Sequence, residues 1–274
     1  CDAYRHGISY LRGDQHAGLF FGVALVRQKP HERDVRLLVE LEGQFALGQY
    51  YYNNDQFDRA EDFFAEVLAA EPPRELLTQT LYWMGQTLLS QREPDDAREY
   101  FRRIEQDFAA SPFAPQALYA IGYSHAGEED YNAAADVFET LSARYPQSPY
   151  SRNTRLALAE AYYELGNYER AITELKQAMP ALDDEARERA TFLLAESHNQ
   201  LENHEDAIVF YRRFTEDNQD SPYYRRALYG LAWNYHNEGV YEWAADNFQK
   251  VRANHDDSLA HRAMYYEGVN LKLA

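Results

Sequence analysis

Residues 158–171 read Leu158-Ala159-Glu160-Ala161-Tyr162-Tyr163-Glu164-Leu165-Gly166-Asn167-Tyr168-Glu169-Arg170-Ala171. Two small residues set its rhythm. Ala159 precedes a bulky Tyr162 by three residues, and Ala171 precedes Leu175 by four. Either spacing is about one helical turn, so small and large side chains share a helix face. Gly166-Asn167 lies between the two pairs, where a helix C-cap needs left-handed dihedrals. The stretch reads as the middle of a helical hairpin, with helix A before the glycine and helix B after it.

Both features recur at one period. The helix B series is Ala60, Ala97, Ala134, Ala171, Ala207 and Ala244, each four residues before Phe64, Phe101, Phe138, Leu175, Tyr211 and Phe248. The helix A series is Gly48, Gly85, Gly122, Ala159, Ala195, Ala232 and Gly268, each three residues before Tyr51, Leu88, His125, Tyr162, His198, Tyr235 and Leu271. Every step in both series is 36 or 37 residues. Small residues let two helices approach, and the large residue one turn later fills the space between them. One hairpin cannot bury its own apolar face, so stacking of copies is implied. The expected fold is all-α, a right-handed superhelical solenoid of about seven antiparallel helix pairs.

Punctuation agrees with the period. Asn53-Asn54-Asp55, Gly166-Asn167 and Gly239-Val240 sit inside hairpins. Pro72-Pro73, Ser111-Pro112, Pro146-Gln147-Ser148-Pro149 and Ser221-Pro222 sit between them, where Pro stops one helix and Ser can cap the next. Repeats are expected near 36–72, 75–110, 113–147, 150–181, 183–220 and 223–256, with a final helix at 259–274. Residues 1–30 read as a divergent first pair: Leu11-Arg12-Gly13-Asp14-Gln15-His16-Ala17 resembles 165–171 with one residue added. The sequence stops at Ala274 inside a helical pattern, so a piece of a longer protein is expected.

These residues resemble the tetratricopeptide repeat consensus, in which helix A carries Leu-Gly/Ala followed by Tyr, and helix B carries Ala and then an aromatic. The resemblance covers nearly the whole chain. The departures are a period of about 37 where the family has 34, and a missing helix A tryptophan. The joints Tyr145-Pro146-Gln147-Ser148-Pro149-Tyr150 and Ser221-Pro222-Tyr223 are similar to those of bacterial envelope members of the BamD and Tol–Pal coordinator type. That likeness implies a periplasmic location. Cys1 fits it as the acylated first residue of a mature outer-membrane lipoprotein, or is an arbitrary start.

Composition narrows the partners. The formal charge is −18, from 45 acidic against 27 basic residues. Nucleic acid and anionic membrane surfaces call for a basic footprint and are not expected. A single Cys permits no internal disulfide, and no apolar run approaches the ~20 residues of a membrane span. No phosphate-binding glycine loop, zinc-ligand spacing, nucleophile elbow or His-Glu-x-x-His helix occurs. His125 and His198 occupy a slot filled by Tyr in other repeats, which points to packing. No catalytic residue, metal, cofactor or small-molecule substrate is expected, and membrane contact only through Cys1.

Function is expected on the concave face, which helix A lines in this family. Three residues before each small residue stand Phe45, Tyr82, Tyr119, Leu156, Phe192, Tyr229 and Tyr265, and one after it Tyr123, Glu160, Glu196 and Trp233 among others. The aromatics form either a track for a partner peptide, since Tyr and Trp are favoured binding anchors, or wedges packed between hairpins. Arg189, Arg226 and Arg262, one turn before Phe192, Tyr229 and Tyr265, form a basic ladder that pairs with local Glu or reads an acidic partner. The expected function is a non-catalytic scaffold binding proteins or peptides in this groove, in a bacterial envelope assembly. The alternatives are a cytoplasmic adaptor and a module of a polysaccharide-export or other secretion complex.

Overall fold

A computed structural model describes residues 32–274, in which thirteen α-helices and one 3-10 turn occur and no strand. The expected first pair at 1–30, and Cys1 with its expected anchor, lie outside the described residues. The chain divides into two compact units, Cys1–Tyr150 and Ser151–Ala274. In the first unit, α1 (Glu32–Asn53) pairs with α2 (Phe57–Ala69), α3 (Arg74–Gln91) with α4 (Pro94–Asp107), and α5 (Phe113–Gly127) with α6 (Tyr131–Arg144). Each second helix also packs on the first helix of the next pair. The second unit repeats the scheme. There α7 (Ser151–Glu164) pairs with α8 (Tyr168–Ala178), α9 (Asp184–Gln200) with α10 (His204–Asp217), and α11 (Tyr224–Asn237) with α12 (Tyr241–Arg252). A 3-10 turn at Met179–Ala181 follows α8, and α13 (Ser258–Leu273) packs on α12.

The two helix types bury differently. In α3, residues on nearly every side are buried, from Leu76 to Leu89. In α4 only Ala97, Arg98, Phe101 and Ile104 are buried, a single stripe. A helix apolar all round is enclosed by neighbours, whereas a striped one faces water on its other side. The glycines of the helix A series explain the closeness of each pair. A Cβ at Gly48 would lie 2.5 Å from the Phe64 ring, and one at Gly85 would lie 2.6 Å from the Phe101 ring. Phe138 covers Gly122 in the same way. Gly268, in α13, has nothing within 4 Å of a Cβ built there.

The hairpin turns share one conformation. Asp55, Arg92, Glu129, Gly166, Glu202 and Gly239 have positive φ, between 57° and 74°, and are spaced 36 or 37 residues apart. Where helices start at an aspartate, the cap is made: Asp183 accepts from the Ala186 amide at 2.9 Å and Asp257 from Ala260 at 2.8 Å.

The joints between pairs carry a second regularity. Ser111, Ser148 and Ser221 each precede a proline, and each hydroxyl accepts from the amide two residues on, at 3.1–3.2 Å. That amide belongs to an aromatic residue, Phe113, Tyr150 or Tyr223. The joint ring then lies on an aromatic of the preceding helix A: Phe113 on Tyr82 at 5.4 Å, Tyr150 on Tyr119 at 5.4 Å, and Tyr223 stacked on Phe192 at 4.9 Å. Such pairs contribute about 0.5–1.5 kcal/mol beyond area burial. Among the described residues no helix is long and apolar enough to cross a membrane.

Candidate functional site

The joints before α3, α9 and α13 lack the Ser-Pro-aromatic pattern, and a cavity borders the one before α13. Its residues are Asp257-Ser258-Leu259, so Leu259 stands where Tyr223 stands one repeat earlier. A leucine cannot cover Tyr229 as Tyr223 covers Phe192, and a cavity of about 610 Å³ opens in the second unit. Its walls come from three successive A helices: Glu196 and Asn199 from α9, Arg226, Tyr229 and Trp233 from α11, and Leu259, Arg262 and Tyr266 from α13. Tyr211 of α10 closes the floor, and its ring lies against Gly230, where a Cβ would clash with it. This volume falls in the ~300–1,000 Å³ range of ligand-holding clefts.

The aromatic lining is braced from behind. Trp233 meets Tyr266 edge to face at 5.1 Å, and Tyr266 stacks on Phe248 at 5.7 Å. Phe248 is fully buried and also meets Tyr229 edge to face at 5.3 Å. Asn199 is held by Asn234, whose amide donates to Asn199 Oδ1 at 2.8 Å. The rings are therefore fixed before any guest arrives, which lowers the ordering cost of binding.

The charged lining divides into satisfied and unsatisfied groups. Glu196, only 15% exposed, accepts from the Tyr211 hydroxyl at 2.6 Å and from Tyr163 at 3.4 Å. Burial, with the Glu196 charge second, pushes the Tyr163 phenol up to about 12 and Tyr211 well above its ordinary value. Both phenols thus remain donors at neutral pH. Arg226 approaches Glu196 at 3.7 Å, too long for a hydrogen bond, and lies over the Phe192 ring at 5.2 Å. Arg262 lies over the Tyr229 ring at 5.7 Å, and no carboxylate among the described residues pairs with it. Burial of Tyr229 raises its phenol pKa, and Arg262 opposes that shift.

Of the expected groove residues, the structure brings Arg226, Tyr229, Trp233 and Arg262 into this one cavity. The others are placed differently. Phe45, Tyr82, Tyr119 and Phe192 are buried, the packed-wedge alternative of the two readings. The joint rings cover Tyr82, Tyr119 and Phe192, while Phe45 packs on Phe64 at 5.8 Å. Tyr123 is half-buried against Tyr119 and Phe138. Arg189 is ion-paired with Glu160, so it leaves the ladder. Tyr265 is 66% exposed and does not line the cavity, whereas Tyr266 does. Reading the sequence missed Asn199, Leu259 and Tyr266 as lining residues. Only the absent aromatic at position 259 signalled them.

A second cavity, of about 370 Å³, lies among α10, α11 and α12 and includes Tyr224, Tyr235 and Trp243. Trp243 is 55% exposed there. Among the described residues no cluster of His, Cys, Asp or Glu could hold a metal ion.

Stacked hairpins of this period define a helical repeat protein of the protein-binding kind. The chain is a tetratricopeptide repeat protein: tetratricopeptide repeat family models match residues 41–74, 79–111 and 156–222. A further family model, described as an outer membrane lipoprotein, matches residues 113–180. No curated protein matches the chain. Solved structures share the fold. A tetratricopeptide repeat protein from Parabacteroides merdae is 15% identical over 85% of this chain and 91% of its own, with a TM-score of 0.61. YrrB, described as a TPR protein with an unusual peptide-binding site, is 19% identical over 68% of this chain and 91% of its own, with a TM-score of 0.58. MamA from Desulfovibrio magneticus is 19% identical over 64% of this chain and 93% of its own, with a TM-score of 0.56. At these identities the likeness speaks for fold alone.

Proposed function

We propose that this protein is a non-catalytic scaffold that seats a segment of a partner protein in the cavity of its second unit. One observation carries the reading. Tyr229, Trp233 and Tyr266 converge with two arginines on an open cavity, and Tyr229 holds the helix A position that aromatic joints cover at Tyr82, Tyr119 and Phe192. Braced aromatic rings beside arginine have the composition of binding hot spots. The peptide-binding description of YrrB agrees with a groove of this kind on this fold. The match of residues 113–180 to an outer membrane lipoprotein family supports service in a bacterial envelope assembly.

The test is site-specific photo-crosslinking in the organism that makes the protein. A crosslinker replacing Trp233 should capture a defined partner, and one replacing Trp243, exposed on the other cavity, should not. Equal capture from both positions, or capture from Trp243 alone, would remove the cavity from the mechanism. Substituting Trp233→Ala should weaken a purified partner complex by about 30-fold or more, the cost of a hot-spot residue.

A further inference from the structure

Resting on that reading, we infer that the guest is a peptide segment with an Asp or Glu next to an aromatic or long aliphatic residue. Arg226 and Arg262 receive the carboxylate, and Trp233, Tyr229 and Leu259 receive the apolar side chain.

Charge complementarity selects the acidic partner. The cavity lining holds one carboxylate and two guanidinium groups. Glu196 is already served by two phenols, so its charge is not on offer to a guest. Arg262 lies flat over Tyr229 with no carboxylate partner among the described residues, and Arg226 makes only a long approach to Glu196. This is unusual company for arginine in a chain with 45 acidic residues. Elsewhere in the same unit arginines are paired: Arg189 with Glu160, Arg225 with Asp257 through two hydrogen bonds, and Arg252 with Glu267. A guanidinium stacked on a ring keeps its planar fork of donors oriented and open at the edge, which suits bidentate capture of a carboxylate.

A cationic guest fits less well. Three rings resemble an aromatic cage for an ammonium group, but two arginines flank them, and the lining's carboxylate already accepts from two hydroxyls and faces Arg226 at 3.7 Å. A purely apolar guest would leave Arg262 against a desolvated wall without a carboxylate partner, which costs free energy. The joint explains why the apolar half of the site lies beside Arg262. Both the leucine that leaves the space, Leu259, and the arginine that borders it belong to the first turns of α13.

The experiment is selection of a random heptapeptide phage library on the intact chain, followed by fluorescence anisotropy with the synthetic peptides. Selected sequences should carry Asp or Glu within two positions of Trp, Phe, Leu or Met. Replacing that acid by its amide should weaken binding by about tenfold or more, as expected of a charge-assisted contact. Arg262→Gln and Arg226→Gln should weaken the acidic peptide comparably and leave the amide peptide unchanged, so that the two losses are not additive. Both variants should fold as the parent does, each losing one ring contact and, at Arg226, a long ion pair. If peptides bind, lose affinity on Trp233→Ala, and yet tolerate amide exchange and both Arg→Gln changes, the acidic preference is wrong and the binding cavity stands. If no peptide is enriched, or enriched peptides ignore both Trp233→Ala and Tyr229→Ala, the cavity is not the site and both readings fall.

Discussion

At the scale of single residues, identical letters carry opposite meanings according to what faces them. Gly85 lies beneath the fully buried ring of Phe101, and Gly43 faces open space on an exposed helix surface. Alanine is the better helix former by about 1 kcal/mol at either place. Gly43→Ala should therefore stabilise the protein by about that amount. Gly85→Ala should instead destabilise it by about 1–3 kcal/mol, because overpacking against Phe101 exceeds the propensity gain. Urea unfolding of the two variants checks both signs. His198 offers a pH-dependent case. Its ring stacks on Phe210 at 5.4 Å, and both nitrogens are buried without hydrogen-bond partners among the described residues. Burial lowers its pKa, Asp206 at 3.5 Å opposes the shift, and Lys176 adds to it. Histidine that prefers to be neutral when folded binds more protons when unfolded, so stability rises with pH. The contribution is complete above the unfolded value of about 6.5 and declines as pH falls through it. His125, lowered by burial and by Arg98 against Asp130, acts in the same direction. His198→Phe should flatten the stability profile between about pH 5 and 7; an unchanged slope from thermal melts would refute the assignment.

At the scale of elements, the period was legible and much of the local chemistry was not. Gly166, Gly239 and Asn53-Asn54-Asp55 announce their turns, since glycine and Asx residues suit left-handed backbone. Arg92, Glu129 and Glu202 adopt the same conformation with no local signal, held there by the packing of the helices on either side. A non-glycine residue in that region costs about 1–2 kcal/mol, offset in part by the greater freedom of glycine in the unfolded chain. All three side chains are exposed, so each change to glycine should raise stability by up to about 1 kcal/mol, read as an increase in melting temperature. Gly166→Ala should lower it. The candidate site was half legible for a related reason. Counting from the small residues located Arg226, Tyr229 and Trp233, which share a helix face by arithmetic alone, and Arg262, which repeats the position of Arg226 one helix pair later. It could not distinguish Tyr229 from Tyr82, Tyr119 and Phe192. What covers those three is a joint residue thirty-one positions later, and only the contact shows that Phe113, Tyr150 and Tyr223 reach back.

At the scale of the whole molecule, a repeat array has the problem of being the same everywhere. Near-identical hairpins bury their faces on their neighbours and offer no reason for a partner to prefer one over another. Here the distinction comes from a joint. Ser-Pro-aromatic covers the preceding helix A three times, and Asp257-Ser258-Leu259, one of three joints without it, leaves Tyr229 beside a cavity. If that vacancy makes the site, restoring the rule should abolish it. Leu259→Tyr would place a ring over Tyr229 as Tyr223 lies over Phe192. The cavity has room for it, so overpacking does not oppose the change, and the added aromatic contact contributes about 0.5–1.5 kcal/mol. The variant should melt at or above the parent temperature and bind the selected acidic peptides at least about tenfold more weakly. Most binding-site mutations lose stability and affinity together and leave the cause ambiguous. A variant that gains stability while losing its guest would tie recognition to the missing ring, and one that binds as before would show that the peptide sits elsewhere.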